Sequence, residues 1–253
     1  MEFVKAEGLG NDFIVVTEPI DLSPERMAEL CERKTGIGAD GILEITPVDG
    51  STVAMRYWNA DGGAAEMCGN GLRCVALIAV EQGIVEGRDL TVRSEVTEHP
   101  AMVLPDGVVR AFVGVPHAFR TEELTVAGHT VRPVGVGNPH AVLFVDDVEL
   151  ADVAGIGAVI ERDPIFPDGT NVEFVELGDG DRIKARIWER GVGETEASGT
   201  GSTAAAYAAR AVTELSDSVT VELPGGEMLI ELDEAGAWMT GPASIVYTGS
   251  IDE

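Results

Sequence analysis
EMCGNGLRC, residues 66–74, returns later in the chain as EASGTGSTA, residues 196–204. Each stretch sets Glu-x-Cys or Glu-x-Ser ahead of Gly-x-Gly and a run of small or apolar residues. Two more pairs keep the same order: GLGNDFIVV (8–16) with GVGNPHAVLFV (135–145), and ADG (39–41) with PDG (167–169). The offsets, 127 between Asn11 and Asn138, 128 between the DG pairs and 130 between the Gly-x-Gly motifs, stay nearly constant over half the chain. Ordered self-similarity at so long a period points to two similar domains related by duplication, with a cleft between them. The 253 residues suffice for two domains of about 120 each. The expected division is residues 1–115 and 116–243, with SIVYTGSI opening a last strand, 244–253, that returns to the first domain.

Working outward, short β-branched or alternating runs bounded by Gly, Pro or Asp predict strands: FIVV, GILEITP, TVAMRYW, LTVRSEV, HAVLFVDD, NVEFVEL, RIKARIW, VTVELPGG and EMLIEL. SPERMAELCERK predicts a helix from its Ser cap and following Pro. GLRCVALIAVEQG and GSTAAAYAARAV predict two more, each beginning directly after its glycine-rich loop and apolar or Ala-rich enough to be buried.

Lys plus Arg number 17 against 44 Asp plus Glu, a net charge of −27, which repels nucleic acid and anionic lipid. The acids are scattered, as on a solvated surface suited to high salt, so a halophilic cytoplasm is expected. No apolar run approaches a membrane span and the start lacks a signal-peptide pattern. Three cysteines without CxxC suit reduced thiols. GIGADG (36–41) fits GxGxxG in letters but follows a helix pattern instead of a strand, which argues against a dinucleotide. No phosphate loop is present, and His99, His117, His129 and His140 show no metal-ligand spacing. Three lysines without a phosphate loop argue against a pyridoxal Schiff base. Chemistry without cofactor or metal is expected.

In both Gly-x-Gly stretches, converging backbone N–H groups and a helix N-terminus favour an anion such as a carboxylate. The same setting draws a cysteine's pKa from ~8.5 toward neutrality, so Cys68 is a candidate base or nucleophile. Should the two stretches meet at one cleft, Cys68 and Ser198 would address one carbon from opposite sides, the geometry of a racemase or epimerase. Cys31 and Cys74 read as packed core residues. His140 could be a satisfied loop histidine, Asn11 and Asn138 turn formers, and Arg190 a surface ion pair.

GLGNDF, GIGADG, NADGGAAEMCGNGLRC, GNPHAVLFVDD, FPDGTNVEFVE and WERGVGETEASGTGSTAAA resemble, in order and across nearly the whole chain, the diaminopimelate epimerases. The resemblance implies an α+β fold of two pseudo-symmetric domains, each a mostly antiparallel sheet rolled around a central helix, with the active site between them. It implies cofactor-independent interconversion of LL- and meso-diaminopimelate in lysine biosynthesis, with Cys68 as one base. It assigns the α-carboxylate to the backbone of Gly69, Asn70, Gly199 and Thr200, and further substrate contacts to Asn11, Asn59, Asn171, Glu189 and Arg190. Arg190 would reach the distal carboxylate, and His140 would lie near the bases. The expected partner is a small amino acid, with no nucleic acid or membrane, the chain acting alone or as a homodimer.

The sequence departs from that family at Ser198, where the second catalytic cysteine is expected. A hydroxyl is a far weaker acid than a thiol, so activity is expected to be impaired. Three readings stand open: an introduced substitution, a natural variant with weak or altered activity, or an enzyme of the proline racemase and hydroxyproline dehydratase group. A catalytically silent amino-acid-binding protein is the non-enzyme alternative.

Overall fold
The computed structural model describes residues 1–65, 67–118 and 123–251. Glu66, which opens the first repeated motif, and residues 252–253 of the expected final strand lie outside them. In chain order the first strands and helices are β1 (Glu2–Gly8), β2 (Asn11–Val16), α1 (Pro24–Cys31), β3 (Gly41–Asp49), β4 (Thr52–Asn59), β5 (Ala64–Ala65) and α2 (Gly69–Glu81). There follow β6 (Asp89–Arg93), β7 (Glu98–Val103), β8 (Val108–Gly114), β9 (His117–Ala118), β10 (Leu124–Val126), β11 (His129–Gly135), β12 (Pro139–Phe144) and α3 (Val153–Glu161). The rest are β13 (Asn171–Leu177), β14 (Arg182–Glu189), β15 (Gly193–Thr195), α4 (Gly199–Arg210), β16 (Ser218–Leu223), β17 (Gly226–Asp233), β18 (Gly236–Pro242) and β19 (Ser244–Ser250).

Contacts divide the chain into two units, Met1–Ala111 with Gly241–Glu253, and Phe112–Thr240. In the first unit the pairings run β1–β2 antiparallel, β2–β3 parallel, β3–β4 antiparallel, β4–β6 parallel, then β6–β7 and β7–β8 antiparallel, with β19 antiparallel along β1. In the second, β11–β12, β12–β13, β13–β14, β14–β16, β16–β17 and β17–β18 repeat that series of orientations. The duplication read from three short motifs is therefore written through the hydrogen-bond ladders. A parallel step needs a crossover. In each unit the first crossover carries α1 or α3 and the second α2 or α4.

Helix α2 packs on β1, β2, β3, β4, β6, β7 and β19, and α4 on β11, β12, β13, β14, β16 and β17. A helix about 10–12 Å across touches that many strands, spaced about 4.8 Å apart, only if the sheet curls around it. This explains the sequence of both helices. Every residue from Gly69 to Ala79 is buried, and α4 encloses Ala204, Ala205, Ala206, Ala208 and Ala209, small side chains that let the sheet close in. Helices α1 and α3 cover the outer face of each sheet. Met27, Leu30 and Cys31 pack with Phe3, Ile14, Val16, Ile42 and Trp58, while Val153 and Ile160 pack with Leu143, Phe166, Val172 and Phe174.

Helix α3 is absent from the sequence-based expectation. Its segment, VAGIGAVIE, carries two glycines, each of which weakens a helix by about 1 kcal/mol relative to Ala. Packing against β13 and β14 overrides the propensity, and the Asp152 carboxylate caps the start by accepting from the Gly155 N–H at 3.0 Å.

Candidate active site
The sequence predicts helices beginning at Gly71 and Gly201, after a glycine-rich loop; α2 and α4 instead begin two residues earlier, at Gly69 and Gly199, so the Gly-x-Gly residues form their first turns and Cys68 and Ser198 are the N-caps. The two caps are nearly superposable in backbone conformation, φ −138°, ψ 119° at Cys68 and φ −143°, ψ 126° at Ser198. Cys68 Sγ accepts from the Gly71 N–H at 3.4 Å and Ser198 Oγ from the Gly201 N–H at 3.3 Å. Serine is an ordinary cap, worth about 1 kcal/mol; a cysteine in that role is unusual and calls for a reason other than helix stability. Glycine is needed three residues on because the strands press close. A Cβ on Gly71 would sit 3.1 Å from Leu43 Cδ2, and one on Gly201 2.9 Å from Ile187 Cδ1.

Around Cys68, the amide of Asn11 is the organising group. Its Oδ1 accepts from the Cys68 thiol at 3.6 Å and from Asn70 Nδ2 at 3.1 Å, while its Nδ2 donates to Asp40 Oδ2 at 2.8 Å. Asp40 is held by Arg33, which also forks onto both oxygens of Asp12. Burial raises the Asp12 pKa, but hydrogen bonds from Arg33 and Lys5 outweigh it and bring the value down to about 2. The chain Arg33–Asp40–Asn11 thus fixes which end of the amide faces the thiol. Asn59 closes β4 opposite Gly41, its carbonyl accepting from the Gly62 N–H and its own N–H donating to Gly63.

Around Ser198 the neighbours are ionisable. Its hydroxyl donates to Glu189 Oε2 at 3.3 Å, and Thr195 donates to Glu189 Oε1 at 2.8 Å. Burial pushes the Glu189 carboxyl up, only partly opposed by those two hydroxyls. Asn138, the counterpart of Asn11, has Nδ2 3.5 Å from Thr200 Oγ1 and Oδ1 2.8 Å from His140 Nε2. His140 lies on a strand, fully buried, with Nδ1 2.6 Å from Glu173 Oε1. Burial pushes the Glu173 carboxyl up, against the pull of His140.

Asn171 spends its side chain on the backbone, Nδ2 donating to the Pro139 carbonyl at 3.2 Å and Oδ1 accepting from the Arg190 N–H at 2.9 Å. It holds the turn that presents Arg190, whose Nη1 donates to the Asp168 carbonyl at 3.0 Å. The backbones of Gly69, Asn70, Gly199 and Thr200 form the first turns behind the two caps. Cys31 and Cys74 are buried in apolar surroundings that push their thiols up to about 11 and about 12. Among the described residues no group of three His, Cys, Asp or Glu could hold a metal ion, and no helix is long and apolar enough to cross a membrane. Glu173 is the residue the sequence reading missed; NVEFVEL looks like an ordinary strand, and only its register beneath α4 singles it out.

Comparison with known proteins bears on this arrangement. A family model described as diaminopimelate epimerase matches residues 3–107 and 133–246. The chain is 40% identical over 275 residues to a diaminopimelate epimerase of Thioalkalivibrio sulfidiphilus, covering 100% of this chain and 99% of that protein. It is 41% identical to one of Moorella thermoacetica, covering 98% of each. Among solved structures, a probable proline racemase from Agrobacterium radiobacter has a TM-score of 0.75 at 16% identity, covering 99% of this chain and 92% of that one. A hydroxyproline epimerase from Agrobacterium vitis has a TM-score of 0.75 at 14% identity, covering 98% and 91%. These last two likenesses are of fold.

Proposed function
The chain belongs to the diaminopimelate epimerase family, and from that premise we propose that it binds LL- and meso-diaminopimelate without a cofactor and moves a proton at the α-carbon through Cys68, with turnover impaired because Ser198 stands at the second base. The observation that carries this reading is the pair of matched helix caps, one a thiol and the other a hydroxyl. In the reaction, Cys68 as thiolate takes the α-hydrogen. The carbanion's charge spreads into the carboxylate, which the backbone N–H groups of Gly69, Asn70, Gly199 and Thr200 bind at the helix N-termini. A proton must then arrive on the opposite face. Ser198 Oγ–H is the group in that position, and giving up its proton would leave an alkoxide unless Glu189 resupplies it. Asn11, Asn59 and Glu189 recognise the amino-acid head groups, Arg190 meets the distal carboxylate, and Asn171 acts by holding Arg190's turn.

Calorimetric titration tests the substrate. Heat with LL- or meso-diaminopimelate is expected. Silence with both, together with binding of proline or hydroxyproline, would move the chain to the proline racemase type, a reading that the fold likeness alone favours. Binding without any α-hydrogen exchange in D2O would leave a silent binding protein.

We also place the protein in a salt-rich cytoplasm. The free thiols suit a reducing compartment, and a net charge of −27 repels itself at low ionic strength. Melting temperature should rise between low and molar KCl; a value independent of salt would refute this.

A further inference from the structure
The floors beneath the two caps differ. On β2–β3, Phe13 stands opposite Gly41 and Leu43 lies two residues on; on β12–β13, His140 stands opposite Asn171 and Glu173 lies two residues on. His140 and Glu173 therefore occupy the places that Phe13 and Leu43 fill in the first unit. The helix contacts agree, since a Cβ on Gly71 would lie 3.1 Å from Leu43 Cδ2 and one on Gly201 3.1 Å from Glu173 Oε1. All four side chains are fully buried. Under Cys68 the floor is apolar, whereas under Ser198 it is an acid–base pair whose Glu173 Oε2 has no hydrogen-bond partner. An apolar pair of similar volume is often as stabilising as a buried ion pair, and the first unit shows that this fold accepts one. A half-satisfied pair kept where that alternative exists points to function.

We propose, on the reading of the site given above, that Glu173 is a positioning residue: it fixes the His140 ring so that Nε2–H is directed at Asn138, which in turn sets Thr200 at the start of α4. With Asn138 Oδ1 facing Nε2, that nitrogen carries a hydrogen, and one further proton is shared between Nδ1 and Glu173 Oε1. The pair is then neutral, and losing or gaining a proton would strand a buried charge. Glu189 on β14 is a further ionisable group within electrostatic reach of both members. It therefore works beside a neutral pair whose ring cannot turn.

The experiment compares Glu173→Leu, Glu173→Gln and the double variant His140→Phe with Glu173→Leu, which rebuilds the second floor as a copy of the first. Each is made in the protein as it stands and in a Ser198→Cys background. Glu173→Leu alone should melt well below its parent, and the double variant within ~5 °C of it. Both should lose α-hydrogen exchange by at least ~10-fold, the lower end of the loss seen when a partner that orients a metal-bound histidine is removed. A low-field proton from His140 Nδ1 should be visible by NMR in the parent and vanish in Glu173→Gln. A folded double variant that exchanges at the parent rate would overturn the proposal, as would a parent without the low-field proton. If neither the parent nor Ser198→Cys moves an α-hydrogen, the epimerase reading fails separately, and the imidazole signal alone decides whether Glu173 fixes the ring.

Discussion
Ser198→Cys is expected to raise epimerisation of diaminopimelate by at least ~100-fold, the smaller end of what a well-placed acid or base contributes. The substitution asks little of the structure. The cap geometry at 198 already matches that at Cys68, and the atom that would become sulfur accepts the Gly201 N–H at 3.3 Å, against 3.4 Å for the Cys68 sulfur and the Gly71 N–H. What changes is acidity. A thiol can hold and release a proton near neutral pH, while a serine hydroxyl relies on Glu189, 3.3 Å away. As the chain stands, the isomer presenting its α-hydrogen to Cys68 should exchange slowly in D2O without net inversion, and the other should stay inert. Cys68→Ala should abolish exchange in either background. Rapid epimerisation by the unaltered protein, with no gain from Ser198→Cys, would mean that another group already supplies the second proton, with Glu189 the first to test.

How far the letters reach depends on which face of an element they describe. The inner helices were legible because α2 and α4 are apolar or small all round, which only burial on every side explains. The first strand of each parallel step was legible from its β-branched run. Helix α3 was hidden by Gly155 and Gly157, yet the duplication itself pointed to it, since its cap Asp152 stands 129 residues after Ser23, the cap of α1. Glu173 was hidden for a different reason. Alternation marks a strand with one wet face, but β13 lies between α4 inside and α3 outside, and all of Asn171–Val175 are buried. On such a strand a charged residue carries no sign of which way it points. Phe174 joins the outer cluster, and Glu173 turns inward to His140. The network Arg33–Asp40–Asn11 was equally unreadable, because it joins residues through a crossover whose path no spacing gives.

Exchanging the two caps, Cys68→Ser together with Ser198→Cys, should move α-hydrogen exchange from one isomer to the other. The argument rests on the duplication: both caps share backbone conformation and the same N–H contact, so the thiol is carried to an equivalent place in the second unit. One thiol addresses one face of the α-carbon, so the face it addresses should change with it. The rates should not mirror each other. Cys68 sits against the neutral amide of Asn11, whereas a cysteine at 198 would sit against Glu189, and a carboxylate beside a thiol disfavours the thiolate. Burial raises the Glu189 pKa and so softens that opposition at low pH without removing it. The swapped variant should therefore be the slower of the two, and the disparity should widen as pH rises and Glu189 ionises. Deuterium incorporation into LL- and meso-diaminopimelate by mass spectrometry reads both effects. Exchange of the same isomer before and after the swap would show that the thiol's position does not select the face, and the assignment of Cys68 and Ser198 as opposed groups would fall.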